Sequence, residues 1–241
     1  MNSIKTESFK LAIYSAGDEK AEKMALVLPG RLDTKDYAHM HSLVDFLGQK
    51  GYFAISFDPP GTWESAGDIS LYTVPMYLRA IDEVIEYYGN KSTVIAGHSR
   101  GGTMALCAGV TNPSITHIIA VMSHYGPSEL SEEAKSAGVS ISYRDIPPGT
   151  ERTEEKKRFD LPLSYFDDPT EYKGLETCAK PKLFFFGTED DLVFPEDVCE
   201  TFEVSAEPKE LHELNSEHDY RLHPEIMEEV NQVVESFLER N

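Results

Sequence analysis

Apolar residues along the chain fall into short continuous runs, separated by longer stretches in which they recur every three or four positions. Five runs are apolar at nearly every residue: MALVL (24–28), FAISF (53–57), TVIA (93–96), HIIAVM (117–122) and KLFFF (182–186). A strand with one wet face alternates and a strand covered on both faces does not, so these runs predict a mainly parallel sheet sandwiched between helices. FKLAIYS (9–15) alternates better and reads as an antiparallel strand at the sheet edge, with KELHEL (209–214) as a weaker late strand. Tyr37, Met40, Val44 and Leu47 share one helical face, as do Ile226, Val230, Val233 and Phe237, where Pro224 suits a first helical position. Segments 74–88 and 103–110 complete the helices. Strand and helix in alternation imply a doubly wound α/β fold with helices on both faces.

One region breaks the rhythm. The stretch SEEAKSAGVSISYRDIPPGTERTEEKKRFDLPLSYFDDPTEY (131–172) is too long for an ordinary connection. It predicts a small cap inserted before the late strands, spanning 124–180 and lying over the sheet's carboxyl edge. Its prolines, glycines and charges argue for a partly helical, mobile excursion within a single domain, 1–241.

Composition narrows the class further. At 241 residues one core suffices. The 42 acidic against 22 basic residues leave a formal charge of −20, a field that repels nucleic acid, anionic membranes and polyanionic ligands. Cys107, Cys178 and Cys199 are odd in number and form no CxxC pair, so neither a disulfide framework nor a zinc site is expected, and a reducing compartment fits. The polar N-terminus lacks the apolar core of a signal peptide, and no apolar run approaches membrane-span length. A cytoplasmic protein without membrane insertion is the expectation; the oligomeric state is not legible.

Chemistry enters at GHSRG (97–101), where an apolar run gives way to a helical pattern. A hydroxyl is a poor nucleophile at neutral pH and needs exposure, a base and donors for the oxyanion that forms. A sharp strand-to-helix turn exposes Ser99, and glycines two residues before and after it remove side chains that would collide across the turn. The following helix aims its N-terminus, with the Arg100 N–H, at negative charge developing above Ser99. By itself the pattern also suits a plain glycine-rich turn.

These residues in this setting resemble the α/β-hydrolase superfamily, and the resemblance extends over most of the chain. In that family a carboxylate and then a histidine follow the nucleophile. The resemblance implies Asp190, in GTEDDLVFP (187–195), as the acid, with Glu189 and Asp191 as competitors. It implies His218, in NSEHDY (215–220), as the base, with His124 in reserve. His39 and His41 point to different sides of one helix and make no chelate, and His98 reads as a packing neighbour. The second oxyanion donor is expected from PGR (29–31), through the Arg31 N–H, with Leu32 as fallback. The side chains of Arg31 and Arg100 are read as turned outward to solvent or to a local acid. DPPGTWES (58–65) is similar to a family loop at Asp58, Gly61 and Ser65 but departs from it at Pro60 and Trp63, which weakens transfer from any one subfamily.

A serine at the elbow argues against the dehalogenase and epoxide-hydrolase branches, which need a carboxylate there. The resemblance therefore implies a carboxylesterase, similar to feruloyl or cinnamoyl esterases and monoacylglycerol lipases, that cleaves small-molecule esters through an acyl-enzyme on Ser99 with no metal and no cofactor. A thioesterase, a serine peptidase, or a binding or signalling module with a slow or vestigial triad are the alternatives. Trp63, Phe159, Tyr165 and Phe166 are candidate substrate-binding residues; the competing expectation is that they attach the cap to the body.

Overall fold

A computed structural model describes residues 2–241. Its elements run β1 (Asn2–Lys5), β2 (Lys10–Ala16), β3 (Lys23–Leu28), α1 (Ala38–Gln49), β4 (Phe53–Phe57), α2 (Val74–Tyr87), β5 (Ser92–His98), α3 (Arg100–Thr111) and β6 (Ile115–Val121). Then follow α4 (Glu132–Ala137), β7 (Val139–Asp145), β8 (Lys156–Pro162), β9 (Lys182–Gly187), α5 (Pro195–Val204), β10 (Lys209–Leu214) and α6 (Pro224–Arg240). Eight strands form one sheet in the order β1-β2-β4-β3-β5-β6-β9-β10. All pairings from β4 to β10 are parallel, and β1 and β2 join antiparallel.

The five apolar runs are the five inner parallel strands, and their lack of alternation has the expected cause. Met24, Leu26 and Leu28 of β3 enter one core cluster with α2 and α3, while Ala25 and Val27 enter the other with α1 and α6. Each strand therefore sends successive side chains into two dry layers. The segment FKLAIYS is antiparallel as expected, but β1 lies outside it, so it is not the edge. On α6, Val234 rather than Val233 is buried with Ile226, Val230 and Phe237, because the helical period carries the inward face to that residue. Among the described residues, no helix is long and apolar enough to cross a membrane.

The long insertion between β6 and β9, expected to be partly helical, also holds strands. It holds one six-residue helix, α4, and an antiparallel hairpin in which Tyr143 of β7 faces Arg158 of β8. It has no core of its own: Phe159, Leu161, Tyr165 and Leu175 join the α2/α3 layer. A buried ion pair, Arg221 Nη2 to Asp145 Oδ2 at 2.6 Å, ties the end of β7 to the segment before α6.

Candidate active site

At the end of β5 the backbone of Ser99 takes φ 52° and ψ −125°, a region that costs a non-glycine residue about 1–3 kcal/mol. The surrounding glycines show why the strain is retained. A Cβ on Gly97 would lie 2.2 Å from the backbone of Gly101, and one on Gly101 would lie 2.2 Å from the Leu28 carbonyl oxygen. The elbow therefore presses α3 directly against β5 and the end of β3. Ser99 donates its own N–H to the Val121 carbonyl at 2.9 Å and remains partly exposed.

Two further loops at the same edge bring the other expected residues. Asp190 follows β9 and His218 follows β10, two strands held in parallel register up to Gly187 and Leu214. His218 Nδ1 lies 2.7 Å from Asp190 Oδ2, with both residues buried. The other oxygen, Asp190 Oδ1, accepts from the N–H groups of Leu192 and Val193, each at 2.9 Å. Burial alone would raise the Asp190 pKa, but the hydrogen bond and charge of His218 and the two backbone donors outweigh it and hold the carboxyl below its usual range. An ionised carboxylate can only accept, so Nδ1 carries the proton and Nε2 presents its lone pair.

On the other side of Ser99, Gly30 to Asp33 form a tight turn closed by Asp33 N–H to the Gly30 carbonyl at 3.2 Å. A Cβ on Gly30 would lie 3.3 Å from Ser99 Cβ and 2.6 Å from Asp33 Oδ2, so a side chain there would crowd the serine and displace the Asp33 carboxylate. Among the described residues, the N–H groups of Arg31 and Arg100 donate no hydrogen bond. The fallback donor, Leu32 N–H, is already given to Tyr72 Oη at 3.2 Å.

The Arg100 side chain departs from expectation. Arg100 is buried; its guanidinium reaches the Gly126 carbonyl at 3.0 Å and Ser128 Oγ, because the insertion folds over it. Trp63 donates its indole N–H to the Leu32 carbonyl at 2.8 Å and packs edge-on against Tyr37 and Phe159. Tyr165 is buried and stacked on Tyr72, and Phe166 packs edge-on against Tyr165. The Trp63–Phe159 and Tyr72–Tyr165 contacts attach the insertion to the body. The family-like positions of the 58–65 loop are its structural pins: Asp58 accepts from Thr34 and the Lys35 N–H, Gly61 has φ 74°, and the Ser65 hydroxyl donates to the Asp58 carbonyl.

Other histidines are engaged elsewhere: His41 stacks on Tyr14, His212 bonds Glu229 and His223 lies near Glu217. Among the described residues the His124 ring makes one polar contact, at 3.4 Å to the Pro127 carbonyl. His39 and His98 converge instead with Asp33, a grouping no local pattern marks because the three lie on a helix, at a strand end and in a loop. Asp36, Asp58 and Glu64 form a second group of ligand-type side chains. Each group already faces a cation of the chain itself. Arg144 Nε is 3.3 Å from Asp33, and Lys35 Nζ is 2.7 Å from Glu64 and 3.4 Å from Asp58. Burial holds the His39 pKa well below its ordinary value, which keeps that imidazole neutral.

A family model described as the α/β hydrolase fold matches residues 26–144, from β3 through the elbow into the insertion. The chain has the α/β-hydrolase fold. Solved structures agree over nearly the whole length. Est1E from Butyrivibrio proteoclasticus, with ferulic acid bound, is 19% identical at a TM-score of 0.77, over 100% of this chain and 98% of that one. Alpha/beta hydrolase domain-containing protein 10 from mouse is 15% identical at 0.78, over 99% and 98%. The enol-lactonase from Burkholderia xenovorans LB400 is 15% identical at 0.73, over 98% and 99%. No curated protein matches the chain in sequence.

Proposed function

We propose that this α/β-hydrolase-fold protein is a serine hydrolase of carboxylic esters, with Ser99 as nucleophile, His218 as general base and Asp190 as its orienting acid. Ser99 Oγ attacks the ester carbonyl while its proton passes to His218 Nε2. The N–H groups of Arg31 and Arg100 receive the oxyanion, which then collapses and expels the alcohol with the proton from His218. Water, deprotonated by His218, attacks the acyl-enzyme, and release of the acid returns the proton to Ser99. The insertion acts as a cap beside this site.

The observation that carries the reading is the buried His218–Asp190 pair at 2.7 Å, in loops at the same sheet edge as a serine held at φ 52° by glycines that admit no side chain. A solvated loop needs neither a buried histidine hydrogen-bonded to a carboxylate nor a strained serine. Unengaged backbone donors on both sides of Ser99 fit the same chemistry. The fold is shared with Est1E, which holds ferulic acid, and with an enol-lactonase, and this agrees with attack at an ester carbonyl.

The test is a panel of short-chain, long-chain and hydroxycinnamoyl esters, a thioester and an aminoacyl amide, together with a fluorophosphonate label. The parent protein takes the label and turns over esters, and Ser99→Ala does neither. A parent that neither takes the label nor turns over any member of the panel refutes the proposal; preference for the thioester or the amide would revise the leaving group.

A further inference from the structure

The turn beside Ser99 holds a residue poorly suited to it. Closure from Asp33 N–H to the Gly30 carbonyl, with φ 61° at Leu32 and no positive φ at Arg31, is the type II arrangement, which favours glycine at its third position. A leucine there favours type I. The two forms interconvert by flipping the Arg31–Leu32 peptide, which reverses the Arg31 carbonyl.

Both ends of that peptide are gripped. Its N–H donates to Tyr72 Oη at 3.2 Å. Its carbonyl accepts two N–H groups from the guanidinium of Arg144, Nε at 3.0 Å and Nη2 at 2.7 Å. Arg144 stands on β7, in the insertion, 113 residues along the chain from Arg31. The same Nε lies 3.3 Å from Asp33 Oδ1, and Asp33 Oδ2 lies 3.9 Å from His98 Nδ1. His98 in turn donates its Nε2–H to the carbonyl of His218 at 3.0 Å, since a carbonyl can only accept. One guanidinium thus holds the turn that carries the Arg31 N–H at two points, the Arg31 carbonyl and Asp33.

We propose that Arg144 is a positioning residue for the acyl-transfer site: by gripping the Arg31 carbonyl and Asp33 it fixes the place of the Gly30–Asp33 turn, and with it the Arg31 N–H, beside Ser99. The inference rests on the assignment of Ser99 and the Arg31 N–H made above. Arg144 contributes no atom to bond making. It makes the arrangement of the oxyanion site depend on the insertion being seated, so the cap acts on chemistry as well as on access.

The experiment compares the parent with Arg144→Met and Arg144→Lys. For each it measures kcat and KM on p-nitrophenyl acetate, the affinity for an aryl trifluoromethyl ketone, whose adduct carries the oxyanion, and the melting temperature. Methionine keeps the apolar stem and removes every donor. Misaimed catalytic groups lower rates by up to about 10², so Arg144→Met loses about 10- to 100-fold in kcat and a comparable factor in ketone affinity, with KM within about twofold. Lysine, which returns one charged donor, recovers part of both. Undiminished kcat and ketone affinity in Arg144→Met overturn the proposal. So does a loss that tracks only a fall in melting temperature and disappears on cooling. A parent that turns over no ester and takes no fluorophosphonate removes the assignment of Ser99 and this inference with it. A labelled, active parent with an unimpaired Arg144→Met removes this inference alone.

Discussion

Replacing Asp190 by Asn separates the chemistry of the site from its fold. Asp190 Oδ1 accepts two backbone N–H groups at 2.9 Å, from Leu192 and Val193, so the single oxygen of the amide must stay there. The amide NH₂ then takes the place of Oδ2, 2.7 Å from His218 Nδ1. A donor cannot face a donor, so His218 shifts its proton to Nε2 and offers its lone pair to the amide. That is the tautomer unable to take a proton from Ser99. The same exchange in a serine-protease triad lowers kcat by about 10⁴, equivalent to about 5.5 kcal/mol of barrier. We expect a loss of about 10³- to 10⁴-fold in ester turnover and in fluorophosphonate labelling. Two neutral hydrogen bonds replace charge-assisted ones, at a cost of about 1–2 kcal/mol in stability, or roughly 2–8 °C in melting temperature for a chain of this size. The assay is single-turnover labelling and steady-state kinetics beside a thermal melt. Activity within tenfold of the parent, at unchanged stability, would refute the assignment of Asp190 as the orienting acid.

Two other predictions address the framework. Gly101→Ala sets a Cβ 2.2 Å from the Leu28 carbonyl oxygen, a backbone atom that cannot swing away; overpacking of this kind costs about 1–3 kcal/mol or more, and both labelling and melting temperature fall, whereas a variant that melts and labels like the parent shows that the contact relaxes freely. Burial pushes the Glu83 carboxyl up, but bonds from Ser8 and Thr6 and the Arg79 guanidinium prevail and hold it down to about 2. Because the folded value lies below the unfolded one, this contribution is present in full above about pH 4.5 and is lost as pH falls toward 2, roughly 2–3 kcal/mol in all. The stability difference between the parent and Glu83→Gln, from urea unfolding, therefore narrows between about pH 7 and pH 3; a difference that stays constant contradicts the assignment.

The inner strands, α1 and the elbow were legible because each is a local pattern with a local cause. Continuous apolar runs mark strands that are dry on both faces, and Gly97 and Gly101 mark a turn with no room for a side chain. Asp190 and His218 were legible only through a family likeness, since nothing in their spacing says that two loops 28 residues apart meet. The alternation of Val139, Ile141 and Tyr143 and of Phe159 and Leu161 marks the hairpin of the insertion, but the prolines, glycines and charges around these short segments obscure it. The outward fate expected for Arg100 failed because the insertion folds over it, which no local pattern records.

By itself, then, the sequence determined the layers of the fold and the strained serine, features that depend on near neighbours in the chain. Tertiary structure decided what surrounds that serine: the His218–Asp190 contact, the burial of Arg100, the attachment of Trp63 to Leu32, and the grip of Arg144 on a turn 113 residues away. Side-chain hydrogen bonds of this kind leave no periodic trace, because they are set by where elements dock and not by how each one forms.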